Sequence, residues 1–281
     1  MTCKTILAIL QSEADAARVL DFTVPFAARH GGHVIGLHAE ALPIIVSAPL
    51  GGPVVAFNAG LEAETEARHS RMREIFNKRL SAEGVTGEWR GYESVSGDSA
   101  ISGIESARTV DLVIAQQNDP DADARSTANV EALVFESGRP VLLVPYTFSG
   151  RSQPFKRVLL AWNGSQQAAR AAFDALPMMK EAGKVEVLTV DAPDTPEQDA
   201  NFAGAAIAAT LARHGIEVTM RAERSAGDLT HADIIANRLA DSGADLLVMG
   251  AYGRSRLSEF VFGGVTRAML RSMTVPTLMA R

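Results

Sequence analysis

"KTILAILQSEADAARVLDFTVPFAARHGGHVIGLHA", from Lys4 to Ala39, lines up without gaps against "KRVLLAWNGSQQAARAAFDALPMMKEAGKVEVLTVD", from Lys156 to Asp191. Each stretch reads as a short Val/Ile/Leu-rich strand, a segment whose apolar residues recur at three and four, and a second strand. Further along, "SGDSAISGIESARTVDLVIA" in the first half matches "AGDLTHADIIANRLADSGADLLVMG" in the second, and "ESGRPVLLVPY" matches "RSMTVPTLMAR". A chain that repeats its own order of elements over this length is two copies of one fold.

In the second copy the strands are expected near Arg157–Ala161, Lys184–Val190, Glu217–Ala222, Asp245–Met249 and Pro276–Met279. Continuous apolar runs of this kind suit strands covered on both faces, and the helical segments between them are long enough for right-handed crossovers. The expected architecture is therefore α/β, with two tandem doubly wound domains, each a five-stranded, mostly parallel, Rossmann-like sheet flanked by helices. The domains span residues 1–147 and 155–281, and the polar, Gly- and Pro-punctuated "YTFSGRSQPF" from Tyr146 to Phe155 is the linker. Asp228, after Gly227, is expected to cap the helix that carries Ile234, Ile235 and Leu239.

Composition narrows the function classes. The 281 residues are 47% hydrophobic with a net charge of −6, ample for packed cores and without the basic stripe that nucleic acid requires. No apolar run approaches the roughly 20 residues of a spanning helix, and no export signal is read at the N-terminus. One cysteine, Cys3, leaves no internal disulfide and fits a reducing cytoplasm. The six histidines, His30, His33, His38, His69, His214 and His231, form no helical ligand pair, and no metal site is expected.

The second copy contains "MGAYGRSRLSEFVFGGVTRAML", from Met249 to Leu270. Gly250 and Gly253 follow the fourth strand, and Gly263 and Gly264 precede the last helix, where an open α/β sheet places its ligands. Glycines there let backbone N–H groups approach an anion, and a helix start adds unpaired N–H groups and a positive dipole end. Thr266 adds a hydroxyl donor and Arg254 a charge. The same glycines also fit a strand, a turn and a helix with no ligand, and spacing alone leaves both readings open.

These residues resemble the universal stress proteins in their tandem form. Gly250, Gly253 and Gly263 match that family's spacing of glycine, two residues, glycine, nine residues, glycine, and "KRVLLAWNGS" and "TVPTLMAR" are also similar to it. The resemblance implies binding of ATP, with or without Mg2+. Ala161 and Asn163 would border base and ribose, and Val190 would meet the adenine through its backbone. Gly250, Gly253, Gly263, Gly264, Val265 and Thr266 would hold the phosphates. Two departures stand out: Asn163 replaces the usual Asp, and Gly264 replaces the usual Ser or Thr.

The first copy is the internal control. Gln116 stands where Gly250 does, Asp119 where Gly253 does, and Gln11 where Asn163 does. The carboxylates of Asp119, Asp121 and Asp123 would repel phosphate, so no nucleotide is expected there. They resemble the start of a calcium loop, but Ala124 and Val130 stand where Gly and Glu are needed, so a solvated turn is expected. The apolar insertion from Ile44 to Gly60 is read as a long packed loop. No GxxxxGK[ST], GxGxxG, HExxH or GxSxG signature is present, and no catalytic residue is assigned. The expected function is a cytoplasmic stress-response regulator that binds an adenine nucleotide in its C-terminal domain, with occupancy as a conformational signal to a protein partner. At most it hydrolyses ATP slowly. The alternatives are a nucleotide-free scaffold and, less favoured, a small-metabolite enzyme. The two copies should pack as an intrachain pseudo-dimer, with further homodimerisation open and neither membrane nor nucleic acid as partner.

Overall fold

The computed structural model describes residues 3–42, 59–123, 126–192, 203–251 and 264–281. In the first half the strands are β1 (Thr5–Ile9), β2 (His33–Ala41), β3 (Gly87–Ser94), β4 (Leu112–Gln116) and β5 (Val141–Val144). The second half carries β6 (Val158–Ala161), β7 (Lys184–Val190), β8 (Glu217–Glu223), β9 (Leu246–Gly250) and β10 (Thr277–Ala280), each within one residue or so of its expected span. All ten form one sheet in the order β3-β2-β1-β4-β5-β10-β9-β6-β7-β8. Every pairing within a half is parallel, and the one antiparallel pairing, β5 with β10, joins the halves.

That junction is a pseudo-dyad. Leu142 and Leu278, each the second residue of the last strand of its half, sit opposite one another, and Val141 faces Met279 as Leu143 faces Thr277. A second repeated device fixes the start of each sheet. Asp111 accepts the backbone N–H groups of Lys4 and Thr5 at 2.8 and 3.0 Å, and Asp245 accepts those of Lys156 and Arg157 at the same distances.

The helices lie on both faces, as parallel strands buried on both sides require. On one face of the first half lie α1 (Glu13–His30) and α2 (Ala59–Glu83), with Phe22, Phe26, Met72 and Phe76 buried against Ile6 and Ala8 of β1, Leu10 just beyond it and Val34 of β2. On the other are the short α3 (Ser99–Ser102) and α4 (Ile104–Ala107), and α5 (Val130–Glu136). The second half places α6 (Gln166–Asp174), α7 (Leu176–Ala182) and α8 (Ala205–Arg213) with the first group, and α9 (His231–Ser242) and α10 (Gly264–Ser272) with the second.

Two expectations change. The cap of α9 is Thr230, whose hydroxyl accepts from Asp233 N–H while Asp233 reaches back to the N–H of Thr230; Asp228 lies two residues too early. The gapless alignment slips by one residue at the first helix, because Ser12 and Ser165 are the equivalent caps and Gly164, at φ +70°, is the extra residue. The connection from 146 to 155 packs against α1. Phe148 and Phe155 lie 5.7 and 6.3 Å from the Phe22 ring, and Ser152 N–H donates to Asp21 O at 3.1 Å. Residues 44–58 of the insertion lie outside the described residues, and Ala59 and Gly60 open α2. No described helix is long and apolar enough to cross a membrane.

Candidate functional site

In the second half the chain runs β6, β7, β8 to one side and returns through β9 and β10 to the other, so the winding reverses between β6 and β9. The crevice beyond the carboxyl ends of those two strands is where such sheets receive ligands. Ala161 ends β6, opposite Met249 of β9, and Gly250 ends β9. Val190 ends the neighbouring β7, and Gly264, Val265 and Thr266 form the first turn of α10. Sequence reasoning named all of these, and the fold gathers them at one end of the sheet. Gly253, Arg254 and Gly263 lie outside the described residues.

The two described glycines differ in what holds them. A Cβ on Gly250 would fall 2.6 Å from Gln167 C and 2.9 Å from Gln167 Cβ, in the first turn of α6, so helix packing alone demands glycine there. Among the described residues, a Cβ on Gly264 would meet nothing within 4 Å. Those residues therefore leave room for a hydroxyl side chain at that place, and Gly264 and Val265 stand in the first turn of α10, whose N–H groups have no partner within the helix. Thr266, by contrast, is buried.

The equivalent positions of the first half are held differently. Gln11 is buried and spans to the turn before α3, donating from Nε2 to Gly97 O at 2.9 Å and accepting Ser99 N–H at 2.8 Å. Asn163, one methylene shorter and exposed, instead accepts Ser165 N–H at 3.1 Å, next to the cap of α6. Gln116, where Gly250 stands in the other half, accepts from Arg18 at 3.0 Å. The side-chain oxygen of Asp119 accepts the N–H of Asp121 at 3.0 Å, a local turn of the kind this sequence favours. Among the described residues no group of three or more His, Cys, Asp or Glu is arranged to hold a metal ion.

One group beside the second pocket was not foreseen. Asp191, directly after Val190, adopts a left-handed backbone at φ +48°. Its carboxylate accepts the Ser225 N–H at 2.9 Å, the Ser225 hydroxyl at 2.6 Å and His231 Nε2–H at 2.7 Å. The Ser225 side chain first, then its backbone and His231, hold the carboxyl down to about 2. Sequence gave no signal for it, because the partners are 34 and 40 residues away. Burial pushes the Cys3 thiol up to about 11, so it stays protonated and unreactive at neutral pH.

An open, doubly wound α/β sheet with a crevice at its switch point, built twice in one chain, defines the class of protein. Residues 154–281 match the family model for the universal stress protein family, and the second half of this chain is a universal stress protein domain. A universal stress protein of Synechocystis sp. PCC 6803 is 29% identical over 157 residues, 55% of this chain; the match spans about half, 51%, of that relative's length. A universal stress protein from Archaeoglobus fulgidus DSM 4304 has the same fold over 100% of this chain and 99% of its own, at a TM-score of 0.74 and 16% identity. A functionally unknown protein from Pseudomonas aeruginosa PAO1 follows at 0.60 and 16%, over 99% and 92% of the two chains. Those two likenesses establish the fold across both halves.

Proposed function

We propose that the second half binds ATP or a related adenine nucleotide, and that occupancy is the signal this protein passes to a partner in the cytoplasm. The observation that carries the reading is the convergence of Ala161, Asn163, Val190 and the first turn of α10 on the β6–β9 switch point. Gly264 and Val265 would offer backbone N–H groups to phosphate, with Gly253, Arg254 and Gly263 completing the cradle and Thr266 supplying its N–H. Asn163 would accept from a ribose hydroxyl, and the backbone of Val190 would meet the base. The bound nucleotide supplies binding energy that differs between two states of residues 252–263, which is what a population shift requires.

One observation favours the competing reading of a nucleotide-free interaction protein: Gly250 is already explained by the close approach of α6. Isothermal titration of the full chain with ATP, beside Gly263→Asp, separates the two. Saturable one-site binding that the folded variant loses supports the cradle. Absence of binding by the wild type, after removal of any copurified ligand and with or without Mg2+, transfers the assignment to the interaction protein. Equal hydrogen-exchange protection of residues 252–263 with and without nucleotide would remove the signalling step alone.

A further inference from the structure

β2 and β3 hold, under the early turns of α2, a set of polar side chains that the nucleotide reading does not use. His38 and Glu40, 3% and 8% exposed, project from the same face of β2. His38 Nδ1 lies 2.7 Å from Leu10 O, and its Nε2 lies 3.0 Å from Glu40 Oε1. Both partners are hydrogen-bond acceptors. Burial opposes the charge on Glu40, yet hydrogen bonds from His38 and from Arg68 hold its carboxyl below the ordinary range. Arg68, on α2, donates to it from Nε and Nη2 at 3.2 and 3.1 Å.

His69, the next residue, plays the opposite part. Trp89 of β3 donates its indole N–H to His69 Nε2 at 3.1 Å. An indole nitrogen can only donate, so in this arrangement that ring nitrogen carries no proton. The His69 ring lies 5.7 Å from the His38 ring and occupies the space over Gly91, where any Cβ would overlap it. One buried carboxylate, Glu40, thus faces both Arg68 and His38, while the adjoining His69 ring accepts from Trp89.

We infer that the Trp89–His69 bond is an acid-released latch that holds the early turns of α2 against the β2–β3 edge, with protonation of His69 Nε2 as the release step. A proton taken from solvent removes the lone pair that accepts the indole N–H, and it sets a further cation close to Arg68 and the His38 ring. Glu66 and Glu93 favour that proton from α2 and β3, as does Glu40 from β2, while Glu64 is engaged by Arg68 at 3.0 Å. Burial first, and then the neighbouring His38, disfavour it, and the net displacement is below the ordinary 6.5. The contribution of the latch is therefore complete above about pH 6.5 and is lost as pH falls through the lower value of the folded protein.

The test uses the full chain with 15N-labelled tryptophan, its two indole signals assigned by Trp89→Phe. Between pH 8 and pH 5 the Trp89 indole N–H signal should move with a midpoint below about 6.5. Amide exchange across residues 62–72, corrected for its intrinsic pH dependence, should rise about tenfold for each unit between the closed and open values. His69→Gln keeps an acceptor for the indole without a titrating group, so both responses should vanish while the fold persists. Should His69→Gln fail to fold, His69→Asn is the substitute with the same expected result. A Trp89 signal that stays constant down to pH 5 in the wild type would overturn the inference, as would an unchanged response in the folded Gln or Asn variant. The outcome is independent of whether nucleotide binds.

Discussion

Arg29 and Glu181 occupy the same place in the two copies, each two residues before the left-handed glycine that ends its helix, and they are bonded to each other at 3.1 Å. An ion pair between equivalent positions can form only across the pseudo-dyad. Two identical copies would set like charges against one another there. Arg29 also donates to Ser152 O and Oγ at 2.9 and 3.1 Å, so it secures the connection between the halves as well. The chain thus favours its own intrachain pairing over a homodimer of either half. Arg29→Glu should cost about 2 kcal/mol in urea unfolding, and adding Glu181→Arg should recover about 1 kcal/mol of it. A double variant no more stable than the single one would show that the charges do not couple.

The two glycines of the site should separate stability from binding. Gly250→Ala drives a Cβ into the first turn of α6, where its neighbours are mostly backbone atoms that cannot swing aside. A loss of about 2–4 kcal/mol is expected by chemical denaturation. Gly264→Ser meets no atom of the described residues, should change stability by less than about 0.5 kcal/mol, and adds a hydroxyl to the first turn of α10. Under the nucleotide reading its affinity for ATP should match or exceed that of the wild type. A severalfold weaker affinity in a folded Gly264→Ser would contradict the placement of phosphate at this turn.

The strands and their order of repetition were legible in the sequence because the Val/Ile/Leu runs are short, continuous and bounded by turn residues. Ala161 and Val190 were named through the resemblance to the universal stress proteins and Gly250 through its place just after a strand and that family's glycine spacing; in the fold each is the last residue of its strand. What escaped were features fixed by distant partners. Thr230 displaced Asp228 as the α9 cap because the carboxylate at Asp233 completes a reciprocal pair. The Asp191 cluster and the His38–Trp89 group join residues from separate elements, and neither leaves a periodic mark. The role of Gly250 in admitting α6 was equally invisible, since a phosphate cradle and a close helix approach require the same residue.

Gln117 links the first half to the helix that opens the proposed cradle. It is fully buried, and its Nε2 donates to Leu270 O, in the last turn of α10, at 3.0 Å. Gln117→Leu would leave that carbonyl without this donor, at a cost of about 1–3 kcal/mol. Exchange protection should fall in α10 more than in α9, which measures whether the effect is local. Uniform loss across both helices would indicate general destabilisation instead of a specific anchor.

The Asp191 carboxyl offers the sharpest pH readout near the site. Its folded value of about 2 lies below the ordinary 3.8, so the stabilisation from the ionised group is present above about pH 3.8 and is lost as pH falls through 2. The Ser225 hydroxyl contributes most to that displacement and His231 less. In a carboxyl-carbon NMR titration, Ser225→Ala should therefore raise the Asp191 midpoint further than His231→Ala does. Both variants should remain below 3.8, because the Ser225 backbone N–H still donates. A larger rise in His231→Ala would reverse the order of causes. It would then make the imidazole, at the head of α9, the group that holds the carboxylate beside the end of β7.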